Sequence, residues 1–202
     1  MTNTRVIRRL TTADDQAHFL NSYFVCAGRP PERQVFLRGI AGEMFPRSHT
    51  AAYFLNGEMV GGYCLILRPP LDGIRLLPEQ IRNSHPFLLN TSEDDMVSIP
   101  MLWLNKELRG ARHSVFLWKH MLTTIAETGR KYLVYSYQLH EQRTWKLYKR
   151  AAHPTNLYEG ILANGGNGGV DYVPIQKLAR KIAFLAKFSQ RHVVPQMAAI
   201  PA

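Results

Sequence analysis

The chain has 202 residues, 46% of them hydrophobic, so it can form one full core and is short for two domains of ordinary size. Lysine and arginine total 25 against 15 acidic residues, and the net charge of +10 favours polyanionic partners. Charge alone does not choose among a nucleotide, RNA, an acidic carrier protein and an anionic membrane. No apolar run approaches the roughly 20 residues that span a bilayer, and no apolar signal core begins the sequence, which together predict a soluble cytoplasmic protein.

The first third of the chain predicts a strand, two helices and a β-hairpin. Thr11 or Thr12 is placed to cap the first helix. Asn56-Gly57 suits a type I′ hairpin turn, because both of its central residues need positive φ. These elements cover residues 6–10, 13–25, 32–44, 50–55 and 58–67.

Residues 68–95 begin near a pair of prolines and show little periodicity beyond a short helix at residues 78–83. Long ordered loops are more often functional than idle, so this excursion is expected to line a substrate pocket. A surface insertion without a role is the alternative.

The rest of the chain predicts a parallel crossover followed by further elements. Residues 96–104 and 132–137 are strand-like, and the apolar residues between them recur at helical spacing, with Gly129 placed to end the helix. Two strands joined by a helix of this length pair in parallel, in a sheet buried on both faces. The remaining predicted elements are a helix at residues 141–152, strands at 157–162 and 170–173, and a basic amphipathic helix at 175–191.

Three other patterns are read as structural. Cys26 and Cys64 match no metal-ligand spacing, which favours buried thiols in a reducing compartment. His113 and His120 are too far apart for paired ligands on one helical turn, so no metal site is predicted. Residues 164–169 (NGGNGG) lack the Gly-Lys-Ser/Thr ending of a phosphate loop and are expected to form a flexible hairpin loop.

The turn after the strand at residues 96–104 is basic. Arg109, Arg112 and His113 lie there, beside Ser114, which can cap the helix or donate a hydroxyl group. A helix N-terminus presents unpaired N–H groups and a partial positive charge, so this turn is a candidate phosphate-binding loop. Basic side chains exposed to solvent are the alternative.

Residues 104–114 (LNKELRGARHS) resemble the end of the fourth strand and the pyrophosphate loop of the GCN5-related N-acetyltransferase (GNAT) superfamily, and residues 147–151 (LYKRA) resemble its later Leu-Tyr helix. The order of elements over residues 6–173 also matches. The resemblance implies a GNAT-like α/β fold: a mixed, mostly antiparallel twisted sheet with a central parallel strand pair, flanked by helices. It implies an acyltransferase domain at residues 1–174 and a basic amphipathic C-terminal helix and tail at residues 175–202.

The resemblance also implies that acyl-CoA or acyl-phosphopantetheine is a cosubstrate, with no permanently bound cofactor. The family's loop pattern is Arg or Gln, two residues, Gly, one residue, then Gly or Ala. Arg109 fits the first position, whereas Arg112 and Ser114 occupy the two small-residue positions, where an arginine crowds the backbone's approach or replaces it with a guanidinium contact. A carrier-protein thioester, which lacks the adenosine end, would tolerate this loop better. The implied cofactor-binding residues are Leu102, Leu104, Arg109, Gly110, Arg112, His113 and Ser114.

Direct attack of an amine on the thioester is the implied reaction. The thioester would lie in the splay between the two parallel strands, its carbonyl polarised by a backbone N–H near Leu102 to Leu104, and Tyr148 would protonate the leaving sulfur. Glu93 and Ser98 complete the predicted catalytic set with Tyr148, although no pattern selects the base. The open alternatives are a water relay, Glu93, Asp94, Asp95, Ser98, His49 and His140.

A second likeness concerns the excursion. Residues 60–63 (VGGY), 67–70 (LRPP), 74–78 (IRLLP) and 87–89 (FLL) are similar to the corresponding strand and excursion of acyl-homoserine-lactone synthases and related N-acyl-amino-acid synthases, which use long acyl chains. Acidic acyl carrier proteins would suit the basic chain. That family's acidic motif has no counterpart, since residues 47–50 (RSHT) stand in its place, and lactone synthesis is not predicted.

The sequence therefore predicts an acyltransferase that moves an acyl group from acyl-CoA or an acyl carrier protein to an amine-bearing small molecule. The excursion is where acyl or acceptor specificity is expected. The rival hypothesis is a non-catalytic protein of this fold whose tail helix and basic residues Arg109, Arg112 and Arg143 bind RNA or an anionic surface. A third variant uses aminoacyl-tRNA as the acyl donor.

Overall fold

The computed structural model describes residues 4–28, 31–139, 153–178 and 180. The predicted helix that carries Tyr148 and most of the predicted tail helix lie outside these residues. In chain order, the strands and helices are β1 Arg5–Arg9, α1 Ala13–Ala27, α2 Pro31–Met44, β2 Ser48–Leu55, β3 Glu58–Ile66, α3 Asp72–Arg75, α4 Glu79–Ser84, α5 Pro86–Leu89, β4 Met96–Leu104, α6 Ala111–Glu127, β5 Tyr132–Gln138, β6 Thr155–Ile161 and β7 Asn167–Pro174.

The strands form one sheet in the order β1-β2-β3-β4-β5-β7-β6. β4 and β5 pair in parallel across the α6 crossover, and the other neighbouring pairs are antiparallel. This arrangement confirms the predicted mixed, mostly antiparallel sheet with a central parallel pair flanked by helices. The predicted division of the chain after residue 174 stays a prediction.

Side chains alternate between the two faces of the sheet along each strand, and a hydrophobic core lies on each face. On one face, which we call the α2 face, residues such as Phe19 of α1 and Leu37 of α2 pack with Met101 and Trp103 of β4. On the other, the α6 face, residues such as Met121 pack against the side chains of β2, β3 and β4. In the part of the chain that the structure describes, no helix has the length and apolar character needed to span a membrane.

Local sequence signals account for several element ends. The Thr12 hydroxyl accepts a hydrogen bond from the Asp15 N–H at 3.1 Å and so caps α1. Gly28 ends α1 in the left-handed conformation with φ 57°. Asn56 and Gly57 both have positive φ, 53° and 88°, which confirms the predicted hairpin turn.

Two parts of the sequence prediction were wrong in detail. The excursion contains three short helices, α3, α4 and α5, where one was predicted. It is anchored to the sheet by Phe87, whose ring stacks on Tyr172 with centroids 3.8 Å apart, a contact that local periodicity does not reveal. Part of the predicted glycine-rich loop belongs to β7: Gly168 and Gly169 pair with β5, and a side chain at Gly169 would collide with the Tyr137 ring.

Candidate active site

The parallel strands β4 and β5 separate partway along the sheet. Their ladder has three residue pairs and ends at Ser98 and Val134, although β4 continues to Leu104 and β5 to Gln138. The second half of β5 remains paired with β7 on its other side. A gap lined by backbone therefore opens between the two central strands, at the position where the sequence predicts the splay.

Two features of β4 explain why the ladder stops. A β-bulge gives β4 one residue more than β3 between two successive pairs, Met101 with Cys64 and Ser98 with Ile66. Pro100 lies inside this bulge and has no N–H to donate to a neighbouring strand. The strands consequently diverge directly after Ser98.

The backbone groups of Leu102 and Leu104 face this gap. The Asn105 N–H donates to the Val60 carbonyl of β3 at 2.9 Å. Alternate residues of an antiparallel strand bond to the same neighbour, so Leu102 and Leu104 direct their N–H and C=O groups away from β3. In agreement, the Leu104 carbonyl accepts a hydrogen bond from Arg109 Nε at 2.9 Å. The two N–H groups have the orientation needed to polarise a carbonyl held in the gap.

The basic turn after β4 leads directly into the N-terminus of α6. Gly110 is the N-cap residue, with an extended backbone and no side chain to cap the first N–H groups of the helix. Arg109 and Arg112 are exposed, and Ser114 is half-buried. The α6 N-terminus thus combines a partial positive charge with two arginine residues, of which Arg109 also donates to the Leu104 carbonyl, and this suits an anionic ligand.

His113 is directed towards the sheet, which differs from the sequence expectation that it adds charge to the loop. Its Nδ1 lies 2.6 Å from the Tyr53 hydroxyl on β2. Burial lowers the pKa of His113, and the charges of Arg5 and Arg112 lower it further. Both effects disfavour the charged form of the imidazole, so His113 is a weaker source of positive charge in the turn than an unperturbed histidine.

A cleft of about 240 Å³ lies on the α2 face, beside the point where β4 and β5 separate. Ser98 and Pro100 of β4 and Ser136 of β5 line its sheet side. The excursion contributes to its wall through α3. Other lining residues from α2, from α3 and from the position after α3 are Phe36, Leu37, Ile40, Asp72, Arg75 and Leu76.

The predicted catalytic residues Glu93 and Ser98 both bond to the backbone of the excursion. Glu93 Oε2 accepts a hydrogen bond from the Leu71 N–H at 3.0 Å. Ser98 Oγ accepts one from the Gly73 N–H at 3.2 Å, and Ser98 also lines the cleft. The structure therefore brings these two side chains to either side of Asp72, a residue that sequence reasoning missed.

The other described base candidates lie away from the cleft. Asp94 pairs with Arg130 at 3.5 Å, and Asp95 pairs with Lys131 at 3.0 Å, just before β5 begins. His49 lies on the α6 face, where its ring stacks with that of Tyr63. Tyr148 and His140 lie outside the described residues. Among the residues that the structure describes, no group of three or more His, Cys, Asp or Glu side chains is placed to hold a metal ion.

A signal for one missed residue was present in the sequence. A proline inside a central strand marks a bulge or the end of a ladder, so Pro100 could have located the separation of β4 and β5. No comparable signal marks Asp72, which lies two residues after the cis Pro69-Pro70 bond in a segment without periodicity.

The fold is similar to those of solved acyltransferases. An N-acyl amino acid synthase from uncultured soil microbes, FeeM, superimposes with a TM-score of 0.60 at 13% identity, covering 92% of this chain and 99% of that one. A putative GNAT-family acetyltransferase from Desulfovibrio desulfuricans gives 0.58 at 13% identity, covering 85% and 99%. A GNAT-family acetyltransferase from Elizabethkingia anophelis with acetyl-CoA bound gives 0.52 at 11% identity, covering 84% and 97%.

No family model matches the sequence, and no curated protein matches it either. At identities of 11–13% the likeness is one of fold. The chain has a GNAT-like fold, which confirms the predicted fold class.

Proposed function

We propose that the protein is an N-acyltransferase that moves an acyl group from a thioester to an amine-bearing small molecule. The observation that carries this proposal is the gap between β4 and β5, with two backbone donors facing it, a cationic helix N-terminus after β4 and a cleft beside it. The GNAT fold of the neighbours supports acyl transfer as the class of reaction.

In the proposed reaction, the thioester carbonyl lies in the gap and accepts a hydrogen bond from the N–H of Leu102 or Leu104. The lone pair of a neutral amine attacks the carbonyl carbon, a C–N bond forms, and the C–S bond breaks with its electron pair leaving on sulfur. The nitrogen loses one proton and the sulfur gains one, so the products are an amide and a thiol. Tyr148 is the proposed proton donor to sulfur, on the strength of the Leu-Tyr resemblance in the sequence.

The proposed donor is acyl-CoA or an acyl carrier protein. Coenzyme A is supported by the neighbour that holds acetyl-CoA and by the exposed Arg109 and Arg112, since guanidinium groups pair well with phosphate. A carrier protein is supported by the net charge of +10, which favours an acidic partner.

The test is native mass spectrometry of the full chain with coenzyme A, acyl-CoA and an acyl carrier protein, followed by an assay of thiol release with amine acceptors. Binding of a thioester donor and amine-dependent thiol release are expected. Failure to bind any of the three would refute the proposal. RNA binding that weakens steeply with salt, without acyl transfer, would favour the rival function instead.

Tyr148→Phe tests the assignment of the acid. It is expected to lower turnover by about 100-fold, the lower end of the range for a positioned acid, with donor affinity little changed. Tyr158→Phe is the matched control, because the Tyr158 hydroxyl donates to the Ile161 carbonyl at 3.1 Å on the outer strand β6. Unchanged turnover in Tyr148→Phe would remove Tyr148 from the mechanism and leave the rest of the proposal standing.

A further inference from the structure

Among the described residues that line the cleft, Asp72 is the acidic one. One of its carboxylate oxygens, Oδ2, is buried. Its charge also acts on the interior: burial is the main cause that raises the pKa of Cys64 to about 11, and the negative charge of Asp72 adds to it. A carboxylate in the wall of a cleft attracts a cation that enters the cleft.

The backbone on each side of Asp72 is held by a side chain from another element. The Leu71 N–H donates to Glu93 Oε2 at 3.0 Å, and the Gly73 N–H donates to Ser98 Oγ at 3.2 Å. Glu93 belongs to the short 3₁₀ turn that precedes β4, and Ser98 is the last β4 residue paired with β5. Asp72 is thus fixed relative to the point where the gap opens.

Gly73 allows α3 to approach the strands closely. A Cβ atom at this position would lie 3.0 Å from Val134 Cγ1 and 3.1 Å from Ser98 Oγ, tighter than ordinary packing. A side chain here would require Val134, Ser98 or α3 to shift by a few tenths of an ångström. Close approach and the two hydrogen bonds therefore act together to place Asp72 in the wall of the cleft.

The size and lining of the cleft define what it can accept. A volume of about 240 Å³ is below the roughly 300–1,000 Å³ of pockets for drug-sized ligands, so the cleft suits a compact molecule of amino-acid size. Phe36, Leu37 and Ile40 of α2 give the cleft an apolar side. The side chain of Arg75, 49% exposed, adds one cationic group to the lining, and its Nη1 lies 4.0 Å from Glu43 Oε2 in a solvent-exposed ion pair.

From these observations we propose that Asp72 binds the ammonium group of the acceptor, a compact primary amine with an apolar body. The bound ammonium gives one proton to water before the neutral amine attacks the thioester. Glu93 and Ser98 are positioning residues that hold Asp72. The identity of this ligand as an acceptor rests on the proposed N-acyltransferase function, whereas its binding can be measured without any acyl transfer. A simple amine and an α-amino acid share the ammonium group, and only the amino acid adds a carboxylate for Arg75.

The binding test is an NMR titration of the full chain with phenethylamine, phenylalanine and 3-phenylpropanoate, which lacks the ammonium group. The wild type is expected to bind one or both of the amines and not 3-phenylpropanoate. Asp72→Asn is expected to weaken amine binding by about 10- to 100-fold, the worth of a charge-assisted hydrogen bond. Asp14→Asn, the same charge change at an exposed position of α1, is the matched control and should bind as the wild type does.

Equal amine affinity in Asp72→Asn and the wild type, or no binding of either amine to the wild type, would overturn the inference. Asp72→Ser provides a second removal of the charge in case Asp72→Asn does not fold. Arg75→Gln then separates the two ligand sources. If Arg75→Gln weakens the binding of phenylalanine alone, the acceptor is an amino acid. If phenethylamine is the tighter ligand and Arg75→Gln leaves its binding unchanged, the acceptor is a simple amine.

A kinetic test separates this inference from the proposed function. Asp72→Asn and Glu93→Ala are expected to raise the KM for the amine by about tenfold or more, with donor affinity unchanged in native mass spectrometry. Glu93→Gln retains an acceptor oxygen for the Leu71 N–H and should keep a KM close to that of the wild type. Acyl transfer with an unaltered KM in Asp72→Asn would refute the role of Asp72 and leave the acyltransferase function intact. Amine binding by Asp72 without binding of any thioester donor would support the role of Asp72 and refute the acyltransferase function.

Discussion

The hydrogen bond between the Gly73 N–H and Ser98 Oγ leads to a quantitative prediction for Ser98→Ala. Gly73 is buried and Ser98 is only 1% exposed, so water cannot easily replace the lost hydroxyl. A buried donor that loses its acceptor costs about 1–3 kcal/mol of unfolding free energy. For a chain of this size, each kcal/mol corresponds to about 2–4 °C in Tm, so a decrease of about 2–12 °C is expected.

The measurement is urea unfolding followed by tryptophan fluorescence, with calorimetry for Tm. Ser84→Ala is the matched control, because the Ser84 hydroxyl is exposed and donates to the Gln80 carbonyl within α4. The control is expected to change the unfolding free energy by less than about 0.5 kcal/mol. If Ser98→Ala were as stable as this control, the Gly73 N–H would not depend on Ser98, and the proposed fixing of Asp72 would lose its main support.

Two further predictions concern stability. The pKa values of His49, His113 and His120 are lowered, in each case mainly by burial, so near pH 6.5 the unfolded chain binds more protons than the folded one. The contribution of these three histidines to the unfolding free energy is therefore expected to be complete above about pH 6.5 and to be lost as the pH drops towards the lowered folded pKa values. Urea unfolding from pH 7.5 to 5.5 should show a smaller decrease in unfolding free energy for His120→Gln than for the wild type. A wild-type unfolding free energy that does not change over this range would contradict this reasoning. Gly28→Ala places a side chain at φ 57° and is expected to lower the unfolding free energy by about 1–2 kcal/mol, measured by thermal or urea unfolding. Gly110→Ala, at φ −96° with open space for a Cβ, should lower it by less than about 0.5 kcal/mol. Equal effects of the two substitutions would show that the backbone conformation at Gly28 is not the cause.

Much of the fold could be predicted from the sequence because its signals are local. The Asn56-Gly57 turn, the Thr12 cap and the bounds of β4 each depend on residues within a few positions of one another. The parallel pairing of β4 and β5 also followed, since two strands joined by a single helix must run in the same direction. Tyr148 remains a prediction from sequence resemblance.

The candidate site could be predicted only in part from local sequence signals. The sequence indicated that Arg109 and Gly110 lie at a helix N-terminus, and in the structure Gly110 is the N-cap residue of α6. It did not indicate that His113 turns to Tyr53, because that contact joins residues 60 positions apart. A residue type in a loop pattern does not determine the direction of its side chain when a distant partner competes for it.

By itself, the sequence determined the order of the elements, the central parallel pair and the basic turn after β4. Only the tertiary structure decided which side chains meet in the cleft. Glu93 and Leu71 are 22 residues apart, and Ser98 and Gly73 are 25 apart, yet these two hydrogen bonds place Asp72. The physical reason is that chain folding brings the aperiodic excursion against β4, and no pattern within a short window of sequence records such a contact.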